Sequence, residues 1–184
     1  MEDINIAYYK TPYGELIIGD YYDRLCLCDW RYRKMRSTID KRIKIFFGAD
    51  YVENLTPIIS ETINQLEQYF NGDRKKFELP LNFAGTPFQV EIWEHLLSVS
   101  WGQTVSYQDI SNDIGNPNST RAVASANGAN SIAIIVPCHR VIGSNKKLVG
   151  YAGGVNVKKK LLKLENIIMD SNFQLKVVDF GFAV

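Results

Sequence analysis

Nine residues, Ile135–Gly143, read IVPCHRVIG and set a thiol between a proline and a histidine, with an arginine next. Three kinds of chemistry suit a cysteine there: inert core, metal ligation or nucleophilic attack. Burial without reaction is common for a free cysteine. Zinc ligation lacks partners. His95 and His139 are the two histidines, and Cys26 and Cys28 stand one residue apart, away from finger spacing. No metal site is therefore expected. Cys26 and Cys28 alternate with Leu25 and Leu27 and read as strand residues. As a nucleophile, Cys138 needs a base or a positive field, because the thiolate attacks and the thiol does not. His139 is adjacent, yet neighbouring side chains diverge, so it would act through a water. Glu165 is the first acid after a long basic stretch and is placed to orient that histidine.

The charge pattern bears on the partner. No acidic residue lies between Asp113 and Glu165, while Arg121, Arg140, Lys146, Lys147, Lys158, Lys159, Lys160 and Lys163 do, a formal +8. The whole chain carries only +1, so the remainder stands at −7. A one-signed segment around a thiol suits a polyanion, although a lysine run is more commonly a solvated face. Other residues have ordinary readings beside functional ones. Asn130 is a turn residue that also stands where it can brace the cysteine loop. Tyr107 is a core-edge tyrosine, Arg121 a surface arginine, and Tyr151 an aromatic flanking a turn.

These residues must be positioned by the elements around them. Residues 4–30 read as a β-meander, in which INIAYYK and ELIIGD flank the turn TPYG and LCLCDW follows. A helix is expected from near Thr38 to Gly48. Another begins at Thr56, with Pro57 in its first turn and Gly72 closing it. KFELPLNF is a strand or an extended connection. The start signal recurs at Thr86–Pro87, with Phe88, Ile92, Leu96 and Val99 on one helical face. SYQDISNDIG and NSTRAVASANGAN are two short helices around a Gly-Asn-Pro turn, the pattern of a helix-turn-helix. The second is rich in small residues (Ala122, Ala124, Ser125, Ala126 and Gly128), which suits close approach to a shallow groove or packing on a neighbouring helix. SIAIIVP is a buried strand or extended run, VNVKKKLLKLEN a final helix, and SNFQLKVVDFGFAV has strand-like alternation.

Taken together, PCHRV at Pro137–Val141, SYQDIS, GNPNSTRAVASANGAN and GYAGG resemble, in order and spacing, the O6-alkylguanine-DNA alkyltransferase family. The resemblance runs from about Gly85 to Asn166, and the N-terminal half is similar to the family's variable domain more loosely. It implies a two-domain α/β protein. Residues 1–84 would be an α+β domain with a small antiparallel sheet. Residues 85–168 would be a mostly helical catalytic and DNA-binding domain with the helix-turn-helix, and 169–184 a tail. The implied activity is single-use transfer of an alkyl group from O6 of guanine in double-stranded DNA to Cys138, with no cofactor. On this resemblance His139 deprotonates Cys138 through water, Glu165 completes the relay and Asn130 holds the active-site turn. Tyr107 crowds the phosphate and donates to the departing guanine. Arg121 fills the gap left by the flipped nucleotide, and Ser119, Thr120, Ala122 and Ser125 meet the DNA beside it. Tyr151, Val141, Ala152 and Asn130 line the guanine pocket, and Arg140 holds the fold.

Length and composition are compatible with this. The 184 residues are 46 % hydrophobic, enough for one large domain or two small ones. The N-terminus lacks a secretory pattern, no apolar run approaches a membrane span, and three cysteines point away from a disulfide scaffold. A cytoplasmic monomer is expected. Two rivals come from other classes: a non-catalytic helix-turn-helix protein that binds lesions, and a cysteine hydrolase using Cys138, His139 and Glu165.

Overall fold

A computed structural model describes residues 2–167; the alternating tail read after residue 170 lies outside the described residues. Strands β1 (Ile4–Thr11), β2 (Gly14–Tyr21) and β3 (Arg24–Trp30) form the expected antiparallel meander. Tyr22 and Asp23, both at positive φ, turn β2 into β3, the backbone twist a two-residue hairpin loop requires. Helix α1 (Arg36–Phe47) starts slightly before Thr38 and stops at Gly48, which is left-handed with φ 63°. The short strand β4 (Tyr51–Glu53), not expected from sequence, pairs parallel with β1. The sheet order is β3-β2-β1-β4, so the sheet is mixed rather than wholly antiparallel.

Helix α2 (Pro57–Phe70) is capped by the Thr56 hydroxyl, which accepts from Ile59 N. It packs on the sheet face bearing Leu16, Ile18, Leu25 and Cys28, while Ile39 and Ile43 of α1 cover the face bearing Ile4, Ile6, Ile17 and Cys26. With both faces covered, β3 is buried from Leu25 to Trp30, which explains its nearly continuous apolar run. KFELPLNF is an extended connection whose Leu81 bridges Leu25.

Helix α3 (Pro87–Leu97) opens with a full capping box between Thr86 and Gln89. Ile92 and Leu96 are buried as expected, Val99 falls beyond the helix end, and Trp93 is a buried contact that the four-residue face omitted. After the two-residue strand β5 (Val105–Ser106), α4 (Tyr107–Asp113) and α5 (Thr120–Gly128) form the helix-turn-helix. A second capping box, Ser106 with Asp109, starts α4. SIAIIVP, expected as a strand or extended run, is buried throughout but folds back in a turn at Ile134 and Ile135, where Val136 N donates to Ile132 O at 2.9 Å; before the turn, Ile132 bridges the outer edge of β3 at Cys28. The backbone joins the two halves there: Cys28 N donates to Ser131 O at 2.8 Å and Ala133 N to Cys28 O at 2.6 Å. The pair β5/β6 (Val141–Ile142) and α6 (Val155–Leu164) complete the fold, and one core runs from Leu16 and Leu66 through Ile92 and Val123 to Leu161. No described helix is long and apolar enough to cross a membrane.

Candidate active site

Two tight turns deliver Cys138. Ile135 N donates to Ala133 O at 2.9 Å around Ile134, whose φ of 72° is the strained hand of a γ-turn and rare for a β-branched residue. Cys138 N donates to Val136 O at 2.7 Å around Pro137, whose φ −80° and ψ 58° fit the relaxed hand, a geometry that suits proline. Asn130 holds the strained stretch. Its Nδ2 donates to Val136 O at 3.0 Å and Ile132 O at 3.4 Å, and its Oδ1 accepts from Ile132 N at 2.9 Å. Strain of this kind costs about 1–3 kcal/mol and persists only where surroundings enforce it. The bracing read for Asn130 from sequence is this three-bond clasp.

Cys138, His139 and Arg140 form a single 3-10 turn, and all three are buried. His139 Nε2 meets Glu165 Oε1 at 2.8 Å. The same carboxylate accepts Arg140 Nε at 2.8 Å, Arg140 Nη2 at 2.9 Å and the Tyr69 hydroxyl at 2.7 Å. Arg140 also donates to Val99 O. Burial pushes the Glu165 carboxyl up, but His139 and Arg140 outweigh burial and hold it at about 2. Burial carries His139 the other way, below its ordinary value and against the pull of Glu165, so the ring is neutral at pH 7. The fixed Arg140 guanidinium then keeps Glu165 ionised. With Nε2–H donated to Glu165, the His139 Nδ1 lone pair is buried and has no hydrogen-bond partner among the described residues. A neutral imidazole with a free lone pair is a competent base.

The thiol itself is 3 % exposed. Burial raises its pKa; a hydrogen bond from Asn130 and the charges of Lys158 and Arg33 work against that without prevailing. Cys138 is therefore a protonated thiol at rest. Cys26 and Cys28 are also driven far up, by burial first and then by Asp20 and Asp29 respectively, which fits their reading as strand core.

Cys138 opens on a pocket of about 270 Å³, walled by Tyr107, Ala124, Asn127, Tyr151 and Ala152 together with the turn Arg33–Met35. Tyr151 and Ala152, both read from sequence as pocket residues, line this cavity. Val141 and Asn130 do not; they are buried without lining it, as are His139 and Glu165. A larger cleft of about 610 Å³, lined by Phe77, Leu97, Trp101, Ile135 and Pro137, lies by the same loop without reaching Cys138.

The helix-turn-helix residues divide by face. Arg121, Ala122 and Ser125 are exposed on α5, while Val123 and Ala126 pack inward and the Ala126 carbonyl accepts Trp93 Nε1 at 2.9 Å. The inward small residues let α5 pack closely on the core, and the outward ones are left exposed. Ser119 and Thr120 are engaged within the motif: Ser119 Oγ donates to Asn116 O at 2.7 Å and Thr120 Oγ1 to Gln108 Oε1 at 2.9 Å.

Several site residues had no sequence signal of their own. Lys158 sits in the lysine run of α6 yet is fully buried. Its ammonium donates to the carbonyls of Val141, Val149 (2.8 Å) and Gly150 (3.3 Å), and burial brings its pKa down to about 8. With Arg140 also buried, six of the eight cations read as a basic face remain for it. Arg33 donates to Asp29 Oδ2 at 2.8 Å, Asn130 O at 3.0 Å and Gly128 O at 2.7 Å, tying the N-terminal half to the catalytic turn. Trp30 Nε1 donates to the Tyr151 hydroxyl at 3.1 Å, and a Cβ on Gly153 would come within 2.7 Å of the Trp30 ring. That contact is a physical reason for the second glycine of GYAGG.

Both halves of the chain match known proteins. Residues 87–167 match the 6-O-methylguanine DNA methyltransferase DNA-binding domain, and residues 4–83 match the ribonuclease-like domain of the same family. The chain is 41 % identical over 159 residues to the constitutive methylated-DNA–protein-cysteine methyltransferase of Bacillus subtilis, covering 86 % of this chain and 93 % of that one. It is 49 % identical over 156 residues to the Methanosarcina barkeri protein of the same name, covering 85 % and 93 %. Among solved structures, Mycobacterium tuberculosis OGT in complex with DNA superposes with a TM-score of 0.75 at 37 % identity, covering 88 % of this chain and 92 % of that one. Matched in both halves and along most of its length, the chain belongs to the 6-O-methylguanine DNA methyltransferase family.

Proposed function

We propose that Cys138 is the residue on which the family's reaction ends: the protein repairs DNA by moving an alkyl group from O6 of guanine to its own cysteine. The observation that carries the assignment is the pocket floored by Cys138, with a neutral, Glu165-oriented His139 behind it and the exposed face of α5 in front. In a duplex the alkyl carbon is stacked inside, so the nucleotide must swing out, at a cost of a few kcal/mol. Arg121, exposed on the first turn of α5, takes the vacated space, and Ala122 and Ser125 allow the helix close to the backbone.

With the base seated, His139 Nδ1 accepts the thiol proton through a water, and Glu165 stabilises the imidazolium. The thiolate attacks the alkyl carbon, the carbon–O6 bond breaks, and its electron pair leaves with the guanine. Tyr107, half-buried at the pocket wall, donates a hydrogen bond to the departing base. The product is a thioether with no leaving group, so each molecule acts once. The raised thiol pKa fits this order of events, since the sulfur stays protonated until the base is engaged. A cytoplasmic location, where free thiols stay reduced, belongs to the same proposal.

Intact-protein mass after mixing with a duplex containing O6-methylguanine is the test. One methylene should be gained, on Cys138, at one per protein molecule. Multiple turnovers, no mass change, or modification at Cys26 or Cys28 would overturn the assignment.

A further inference from the structure

The pocket is built from both halves of the chain. Most of its wall comes from the helix-turn-helix and the loop around Tyr151, but one side is the turn between β3 and α1, through Arg33, Lys34 and Met35. That turn is held in place. Arg33 is 8 % exposed and reaches the carbonyls of Gly128 and Asn130, while Asp29 accepts from both Arg33 and Arg36 at 2.8 Å. Lys34 and Met35 follow directly and are left exposed, Met35 at 52 %. Lys34 has no ion-pair partner among the described residues. The exposed stripe of α5, from Arg121 through Ser125 to Gly128, ends at the carbonyl that Arg33 grips, so a duplex following the stripe arrives at Lys34.

We infer that Lys34 and Met35 make the N-terminal domain part of the substrate site, Met35 as the side chain that closes over bulky O6 adducts and Lys34 as a phosphate contact. This rests on the reading of the Cys138 pocket as the base pocket. Ala124, Gly128, Gly150 and Ala152 leave the pocket roomy, and Met35 is its one long, flexible apolar side chain. A thioether side chain adapts to aromatic surfaces of differing shape. A benzyl group has apolar area to bury on it; a methyl group has little. Specificity for large adducts would then reside in a residue outside the catalytic domain.

The measurement is single-turnover repair of two duplexes, one with O6-methylguanine and one with O6-benzylguanine, by the full chain. Met35→Ala should lower the benzyl-to-methyl rate ratio about fivefold, the effect of losing one to two methylene-sized contacts, and Met35→Leu should restore most of it. An unchanged ratio in Met35→Ala, or a wild type that repairs the methyl lesion but refuses the benzyl one, overturns the role of Met35. A wild type that repairs neither overturns the pocket reading beneath it. For Lys34→Ala, the slope of log affinity against log salt should become shallower by about 0.9, one phosphate contact. An unchanged slope and affinity overturns the role of Lys34. Both side chains are exposed, so neither variant is expected to unfold, and melting temperatures within error of wild type check this.

Discussion

Glu165 concentrates more of the site's electrostatics than any other residue. Four donors converge on one buried carboxylate: His139 Nε2, two nitrogens of Arg140, and the Tyr69 hydroxyl. Its pKa is about 2 in the fold, against about 4.3 in an unfolded chain. The sign follows from proton counting. A carboxyl with a depressed folded pKa contributes stability that is fully present above the unfolded value and is lost as pH falls toward the folded one. At 1.36 kcal/mol per unit this is roughly 3 kcal/mol, lost between about pH 4.5 and 2. Glu165→Gln removes that contribution and leaves the Arg140 guanidinium buried without its charge partner. The variant should lose about 3–5 kcal/mol at pH 7 and have a flatter stability profile between pH 4.5 and 2 than the wild type. Urea midpoints across that range measure both effects. Equal acid sensitivity in the two proteins would mean that Glu165 is not the group being titrated. Alkyl transfer should fall as well, because His139 loses the acceptor that fixes its tautomer.

Among the elements, α6 illustrates what sequence conceals. Its lysine run looks uniform, yet Lys158 is fully buried and Lys160 and Lys163 face solvent. The helix uses Lys158 as a strut: three carbonyls, from β6 and from the loop before Tyr151, converge on one ammonium. Lys158→Met keeps much of the volume and removes every donor. At about 1 kcal/mol or more per carbonyl left unpaired, the protein should lose roughly 2–4 kcal/mol, and amides of residues 143–153 should exchange faster with solvent. Unaltered exchange there would show that the loop stands without its strut. Helical period alone marks Leu161 and Leu162 as inward but cannot choose one lysine among four. The start signals were far more legible, because caps are local: Thr56, Thr86 and Ser106 each accept from the backbone N–H three residues on. Strand β4 was missed because three residues, one of them acidic, carry no alternation. Tyr69 was missed because its partner lies 96 residues away, joined through tertiary packing that no local pattern records.

At the scale of the whole molecule, the proposed function gives extrusion of the base and chemistry to different residues, and that separation can be tested. The motif residues PCHR and Glu165 were legible as a set because a thiol, an imidazole and a carboxylate are the types a nucleophile, its base and an orienting acid require, but their placement depends on the N-terminal half. Tyr69, Trp30 and Arg33 each cross to the catalytic half and contact Glu165, Tyr151 and the Asn130 turn in that order. Arg121 stands apart from this network. It is exposed at the start of α5 and does not line the Cys138 pocket. Its proposed work is to stabilise an extruded state otherwise unfavourable by a few kcal/mol. Arg121→Ala should therefore slow repair of duplex DNA strongly, by about 100-fold if it contributes near 3 kcal/mol, while reaction with free O6-benzylguanine, which needs no extrusion, stays near wild type. Cys138→Ser should do the reverse. It should abolish transfer from both substrates and keep duplex binding, because the exposed face of α5 and the six cations left to the basic segment are untouched. Rates on duplex and on free base for each variant, with a gel shift for binding, decide between outcomes. Equal loss of both reactions in Arg121→Ala would make the arginine structural. Loss of DNA binding in Cys138→Ser would make the cysteine turn part of the binding surface, and extrusion and chemistry would then share one scaffold.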